Sequence, residues 1–326
     1  MKHINSILET HLFLEFSMHS NTFEGANMLT ENKNILLEKY GIIPNINDYI
    51  SIALKYFKPL INKTNNINKT FTLTKNIFNN IVNCFFENVN IVVNYNFSEK
   101  LCGSNGVTNL SAGSSLLSIK LDITSNLKEF DREFSSIFAH ELTHAYENYC
   151  RLKNNNGKDN LILALNRDGY FLNKDYGRTT GSIGADRVKF LKYWLTKSEL
   201  NAYINNIKQE IEYACNDDDI YSMKDILNIV KTTPTFKNVY FAYKVLVTLY
   251  KETNENIQND SIEMWNQITK NKIVKNYNQL KKILYNIYYK RYRKFVTKIS
   301  KLSYDIYNSN YNNKTMPSTT MVINPQ

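Results

Sequence analysis

The pentapeptide His140-Glu141-Leu142-Thr143-His144 constrains the fold more than any other stretch, because its chemistry requires a helix. Residues four apart on an α-helix lie one turn above each other. His140 and His144 therefore present two imidazoles to one point, with Glu141 displaced around the cylinder beside them. This HExxH spacing suits a zinc ion gripped by two histidines, with the carboxylate within reach of a water on the metal. The chain has five histidines, and two of them stand on this one face.

The residues around the motif supply the rest of the helix. Phe130, Phe134, Ile137, Phe138 and Ala145 recur at helical spacing and form a face that packs on a sheet. Asn126, with Glu129 three residues later, gives an N-terminal cap, so the spacing predicts a helix from 127 to about 150. The sheet is expected from the β-branched run Val89 to Tyr95 and from Leu116 to Ile123, whose second half alternates apolar and charged residues. Between them, Phe71 to Glu87 reads as a helix, Asn62 to Thr70 as a polar linker, and Gly103 to Ser114 as a loop. The last strand before the metal helix is expected to be exposed, ready to pair with an extended substrate by strand addition. Asp175 to Gly184 holds three of the ten glycines and reads as a connector, with a lid beside the metal as the alternative. It lacks the Gly-Lys-Ser/Thr ending of a phosphate loop.

A catalytic zinc needs three protein ligands and one open position. No histidine follows His144, which excludes the HExxHxxGxxH pattern, and position 147, where that pattern needs glycine, is Glu147. The third ligand should be a carboxylate. Glu147 lies on nearly the same stripe as His140, and from one straight helix it approaches the metal from no new direction; a role behind the ligands, or a solvated surface charge, suits it better. Glu199 is preferred. It opens a helix running to about Ala214, and Ala202, one turn on, is small enough to let that helix come close. The competing reading of Glu199 is a capping box with Thr196 three residues before it.

His140 to His144 followed by Glu199 and Ala202 resembles the gluzincin branch of zincin-like metallopeptidases, in which a glutamate on a later helix is the third zinc ligand. Tyr193 to Tyr203 is similar to the second motif of small zincin-type peptidases of bacterial and phage genomes, where a Tyr, a Leu-Ser/Thr step, the Glu and an Ala recur. The resemblance spans roughly 85 to 215 and implies an α+β zincin-like domain, with a small mixed sheet and the HExxH helix, hydrolysing peptide bonds in peptide or protein substrates. It departs from the thermolysin-like pattern in having no downstream histidine to stabilise the transition state. Glu141 is the expected general base. The oxyanion donor would be a tyrosine or arginine in the same part of the chain; Tyr193 is selected from Tyr176, Tyr193, Tyr203 and Arg178.

The ends read differently. Residues 1–65 form a helical region, with His3, His11 and His19 drifting around a helix at a spacing of eight and so not holding one face as ligands would. The catalytic domain is expected over 66–215, and 216–326 as a helical region broken at Thr232-Thr233-Pro234 and at Thr253 to Asp260. The whole net charge of +10 belongs to residues 271–326, where eleven Lys/Arg face the single acid Asp305. Lys272 to Ile306 reads as an amphipathic helix packed on the domain, and its basic residues, interleaved with tyrosines over 272–301, offer contact with nucleic acid or an anionic surface as the alternative. Cys84, Cys102, Cys150 and Cys215 lack paired metal spacing and read as thiols, with Cys102 considered as an inhibitory plug on the zinc. The N-terminal stretch is too short for a signal peptide, and no run approaches the roughly 18 apolar residues of a membrane span. A cytoplasmic chain is expected, or one packaged in a virion. The rival functions are a non-catalytic structural or nucleic-acid-associated protein retaining the fold, and a proteolytic toxin with the same chemistry.

Overall fold

A computed structural model describes residues 46–63, 66–74, 88–99, 103–110, 116–154, 180–217, 222–269 and 273–315. The architecture is α+β, mostly helical around one small mixed sheet. Helix α1 (Ile46–Ile61) precedes strands β1 (Asn66–Thr74), β2 (Asn88–Phe97), β3 (Gly103–Leu110) and β4 (Leu116–Ser125). Helix α2 (Leu127–Asn154) carries the motif, followed by α3 (Ile183–Trp194) and α4 (Lys197–Asp217). The remaining helices are α5 (Met223–Thr232), α6 (Pro234–Tyr250), α7 (Glu255–Thr269), α8 (Tyr277–Leu284) and α9 (Lys290–Thr315), the last two joined by a π-helical turn at Tyr285–Tyr289. Among the described residues, no helix is long and apolar enough to cross a membrane.

The four strands lie in the order β1-β2-β4-β3, with β2 and β4 parallel and both outer pairs antiparallel. Side chains alternate across a strand, so one face collects Ile91, Val93 and Tyr95 of β2 and their partners Ile119, Leu121 and Ile123 of β4, all buried. Helix α2 covers this face with Phe130, Phe134 and Phe138, and Phe57 of α1 packs on Phe134. Each fully buried side chain of this kind contributes roughly 1.5–3 kcal/mol. At its N-terminus the Asn126 side chain accepts the Glu129 N–H at 2.9 Å, the expected cap.

Several expectations need correction. Residues 66–70 of the supposed linker and 71–74 of the supposed helix are strand β1, in which Ile67 and Phe71 alternate with polar residues and pair with Tyr95 and Ile91 of β2. The supposed Gly/Ser loop contains β3, and β3 forms the outer edge of the sheet beside the motif helix. The last strand before the helix, β4, is hydrogen-bonded on both sides and has no edge to offer. The break placed at Thr253 to Asp260 is shorter, because α7 begins at Glu255.

Two hydrophobic clusters form the core. One joins α1, the sheet and α2; the other joins α3 and α4 to all the later helices. The helix bearing Glu199 thus packs with the C-terminal helices, while the helix bearing the histidines packs with the sheet. The basic region buries Leu280, Leu284, Tyr288, Tyr292, Phe295, Ile299 and Leu302 in the second cluster. Two of its cations brace the neighbouring elements: Arg291 donates to the Leu195 carbonyl at 3.3 Å and Lys298 to the Asn201 side chain at 3.4 Å.

Candidate metal centre

His140, His144 and Glu199 come together at the seam between the two clusters, each offering a ligand atom within 4.8 Å of the others. This buried group could hold a metal ion. His140 Nε2 and His144 Nε2 lie 3.1 Å apart, and Glu199 reaches them with Oε2 at 3.3 Å and Oε1 at 3.6 Å. Glu199 Oε2 is buried with no hydrogen-bond partner among the described residues. The helix start allows both roles weighed for this stretch. The Thr196 hydroxyl accepts the Glu199 backbone N–H at 3.2 Å, while the Glu199 carboxylate leaves the cap and turns to the histidines. Ala202, fully buried, lies one turn on, where α4 meets α2.

Glu147 stands behind the cluster. Its Oε2 accepts the Ser198 hydroxyl at 2.5 Å and its Oε1 accepts Asn201 Nδ2–H at 2.9 Å. Because an ionised carboxylate only accepts, the single serine proton points to Glu147, and the serine oxygen is left to accept Nδ1–H of His144 at 3.1 Å. That chain fixes Nδ1 as the donor and leaves Nε2 as the nitrogen turned to Glu199 and available to a metal. Ser198, the residue before Glu199, was not singled out by the sequence reading; its position beside a candidate ligand was the available signal. His140 is oriented by packing instead, with its ring 5.0 Å from that of Tyr203, which stacks on Trp194.

Charge at the site favours a cation. Burial lowers the His144 pKa, but the charges of Glu199, Glu141 and Glu147 outweigh it and raise the imidazole to about 9. Burial would raise Glu199, yet His144 and His140 hold its carboxyl well below the ordinary carboxylate range.

Glu141 is buried beside β3, where its Oε2 accepts the Thr108 hydroxyl at 2.5 Å and its backbone carbonyl accepts the same hydroxyl at 3.0 Å. Gly106 and Thr108 pair with Leu121 and Ile119, so they continue the helix-facing side of the sheet. There the apolar face gives way to small and polar residues. A Cβ at Gly106 would lie 2.5 Å from Glu141 Cγ and Oε1, so only glycine leaves room for the carboxylate.

A cavity of about 540 Å³ opens on Gly106, His140, Glu141, Tyr193, Trp194 and Tyr203. Burial and the charges of Glu199 and Glu141 push the Tyr193 hydroxyl above its ordinary range, so it stays protonated at neutral pH. Tyr203 is pushed well up by burial, by Glu199 and by its hydrogen bonds to Glu199 and Tyr193. Tyr176, Arg178, Cys102, His3, His11 and His19 lie outside the described residues. Of the glycine-bearing connector, Gly181 takes φ 81° and Ser182 caps α3, while Gly184 lets α3 press against the Ile257 carbonyl of α7. Compared with known proteins, the chain matches no family model, no curated protein and no solved structure.

Proposed function

We propose that the chain is a zinc-dependent peptidase of zincin-like type, with His140, His144 and Glu199 as the metal ligands. The observation that carries the reading is the spacing of the three ligand groups. A tetrahedral zinc with bonds of 2.0–2.1 Å requires its ligand atoms roughly 3.3 Å apart, and the separations here are 3.1, 3.3 and 3.6 Å. The donor set is also right for zinc, being two imidazoles and a carboxylate, with His144 fixed from behind by Ser198 and Glu147.

When bound, zinc supplies a Lewis acid that brings the pKa of a water from about 16 to about 7. Glu141, one residue past His140 and facing the cavity, takes the proton from the attacking water and delivers it to the leaving amine nitrogen. Thr108 holds one oxygen of Glu141, which fixes the carboxylate and leaves Oε1 toward Gly106 and the cavity. Tyr193, kept neutral by its surroundings, donates its hydroxyl proton in a hydrogen bond to the developing oxyanion. The outer edge of β3 is suited to an extended peptide, because among the described residues no strand pairs with it there and it runs past Glu141.

The test is cleavage of a mixed peptide pool by the zinc-loaded chain and by its Glu141→Gln variant. The reading expects hydrolysis by the parent, abolished by chelator, and a loss of about a thousandfold or more in the variant with zinc retained. A variant that hydrolyses as fast as the parent refutes it.

A further inference from the structure

The cavity continues past the triad. Down one stripe of α2 below His140 stand Ser136, Glu133, Arg132 and Glu129, and Glu210 faces them from α4. Ser136 lies one turn from His140, about 6 Å along the helix, so this arm is within reach of a substrate residue close to the scissile bond. Thr235 Oγ1 donates to Glu210 Oε1 at 3.0 Å, and Ser136 Oγ, whose closer partner is Asn206 Oδ1, lies 3.1 Å from the same oxygen. Its other oxygen, Oε2, is buried with no hydrogen-bond partner among the described residues. Arg132, the one Lys or Arg among the described residues lining the cavity, pairs with Glu129 at 2.8 Å and Glu133 at 3.2 Å and touches Glu210 only through its longer-range charge. Three carboxylates thus face one guanidinium, and the deficit falls at Glu210.

We propose that this arm is a specificity pocket that takes a basic side chain of the substrate, Lys or Arg, with Glu210 Oε2 as the acceptor. The inference rests on the peptidase reading. A carboxylate taken out of water without a cation is costly, and the Thr235 hydroxyl holds this one by one oxygen, leaving the other inside a substrate-sized cavity. A substrate ammonium or guanidinium would supply the missing charge through a charge-assisted hydrogen bond. In keeping with that deficit, burial and the neighbouring Glu133 push the Glu210 carboxyl up to about 7, although the Thr235, Ser136 and Thr233 hydroxyls pull it down.

The experiment has two arms, both on the full chain with N-acetylated peptides so that no α-amine can act as the cation. In the first, the zinc-loaded chain cleaves a randomised pool and the cut sites are sequenced. Lys or Arg should be enriched at one fixed position, and the ratio of kcat/KM for a Lys peptide over its norleucine analogue should fall about tenfold or more in Glu210→Gln. Cleavage with no basic preference overturns the pocket and leaves the peptidase standing. In the second arm, calorimetry compares the same two peptides binding to the chelator-treated chain. Tighter binding of the Lys peptide, lost in Glu210→Gln, supports the pocket even if no peptide is cut, in which case the peptidase reading alone fails; equal binding overturns it. Should Glu210→Gln not fold, the cut-site profile and the peptide comparison on the parent chain decide the matter.

Discussion

Replacing Gly106 by alanine should cripple hydrolysis while leaving the fold and the metal in place. The new Cβ would sit 2.5 Å from Glu141 Cγ and Oε1 and 2.8 Å from Cδ. Ordinary carbon contacts lie near 3.5–4.0 Å, so the Glu141 side chain must withdraw by about 1 Å. The strand does not yield easily, because β3 is paired with β4 along its length. Thr108 still anchors the carboxylate from the other side, which limits where it can go. A displacement of that size at a catalytic group costs on the order of 10² in rate, or about 2.7 kcal/mol of transition-state stabilisation. The backbone at Gly106 does not lie in the left-handed region, so alanine itself fits the strand. Its lower entropy in the unfolded chain offsets part of the clash by roughly 0.4–1 kcal/mol. The assay is kcat/KM on one cleaved peptide, with zinc content and thermal unfolding measured on the same preparation. Undiminished kcat/KM in Gly106→Ala would refute the placement of Glu141 as the base.

Other outcomes follow from the same geometry. Ser198→Ala leaves His144 Nδ1 without its acceptor and should weaken zinc binding about 10–100-fold in competition with a chelating dye; unchanged affinity would remove the Glu147–Ser198–His144 chain from the account. In the metal-free chain the His144 pKa is raised from 6.5 to about 9, so its contribution to stability is complete below pH 6.5 and is lost as pH rises through about 9. Glu199, held below the ordinary range, contributes stability above its unfolded pKa and loses it in acid. Urea unfolding of the chelator-treated chain should therefore show stability declining between pH 6.5 and 9.5, and a flat profile would contradict the assignment. Zinc must displace the His144 proton, so binding near pH 7.5 should release close to one proton, read by calorimetry in buffers of different ionisation enthalpy.

The motif helix and its cap were legible because both depend on local spacing, as Asn126 and Glu129 show. Strands β2 and β4 were legible because β2 is rich in β-branched residues and β4 alternates apolar with charged ones. The two edge strands were not. The β1 segment mixes Asn, Lys and Thr with Ile67 and Phe71, and β3 carries Gly and Asn, a composition that reads as linker or loop. At Gly106 the reason is steric, since the edge strand must make room for Glu141. Strand order was beyond local patterns, and with it the place of β3, not β4, at the edge of the sheet. Glu199 could be nominated from the sequence, but its two roles could not be separated there. The structure separates them by giving the cap to the Glu199 backbone and the histidines to its carboxylate. Glu210 carried no signal in the chain, because its significance lies in an unpaired oxygen that only the packing of α2, α4 and α6 creates.

Zinc content per chain, measured by elemental analysis after dialysis against trace zinc, bears most directly on the central claim. We expect one zinc per chain in the parent and in Glu147→Ala at saturating zinc, and none retained in Glu199→Ala. Tight zinc surviving the loss of Glu199, or a parent chain that binds none, would contradict the site built from His140, His144 and Glu199.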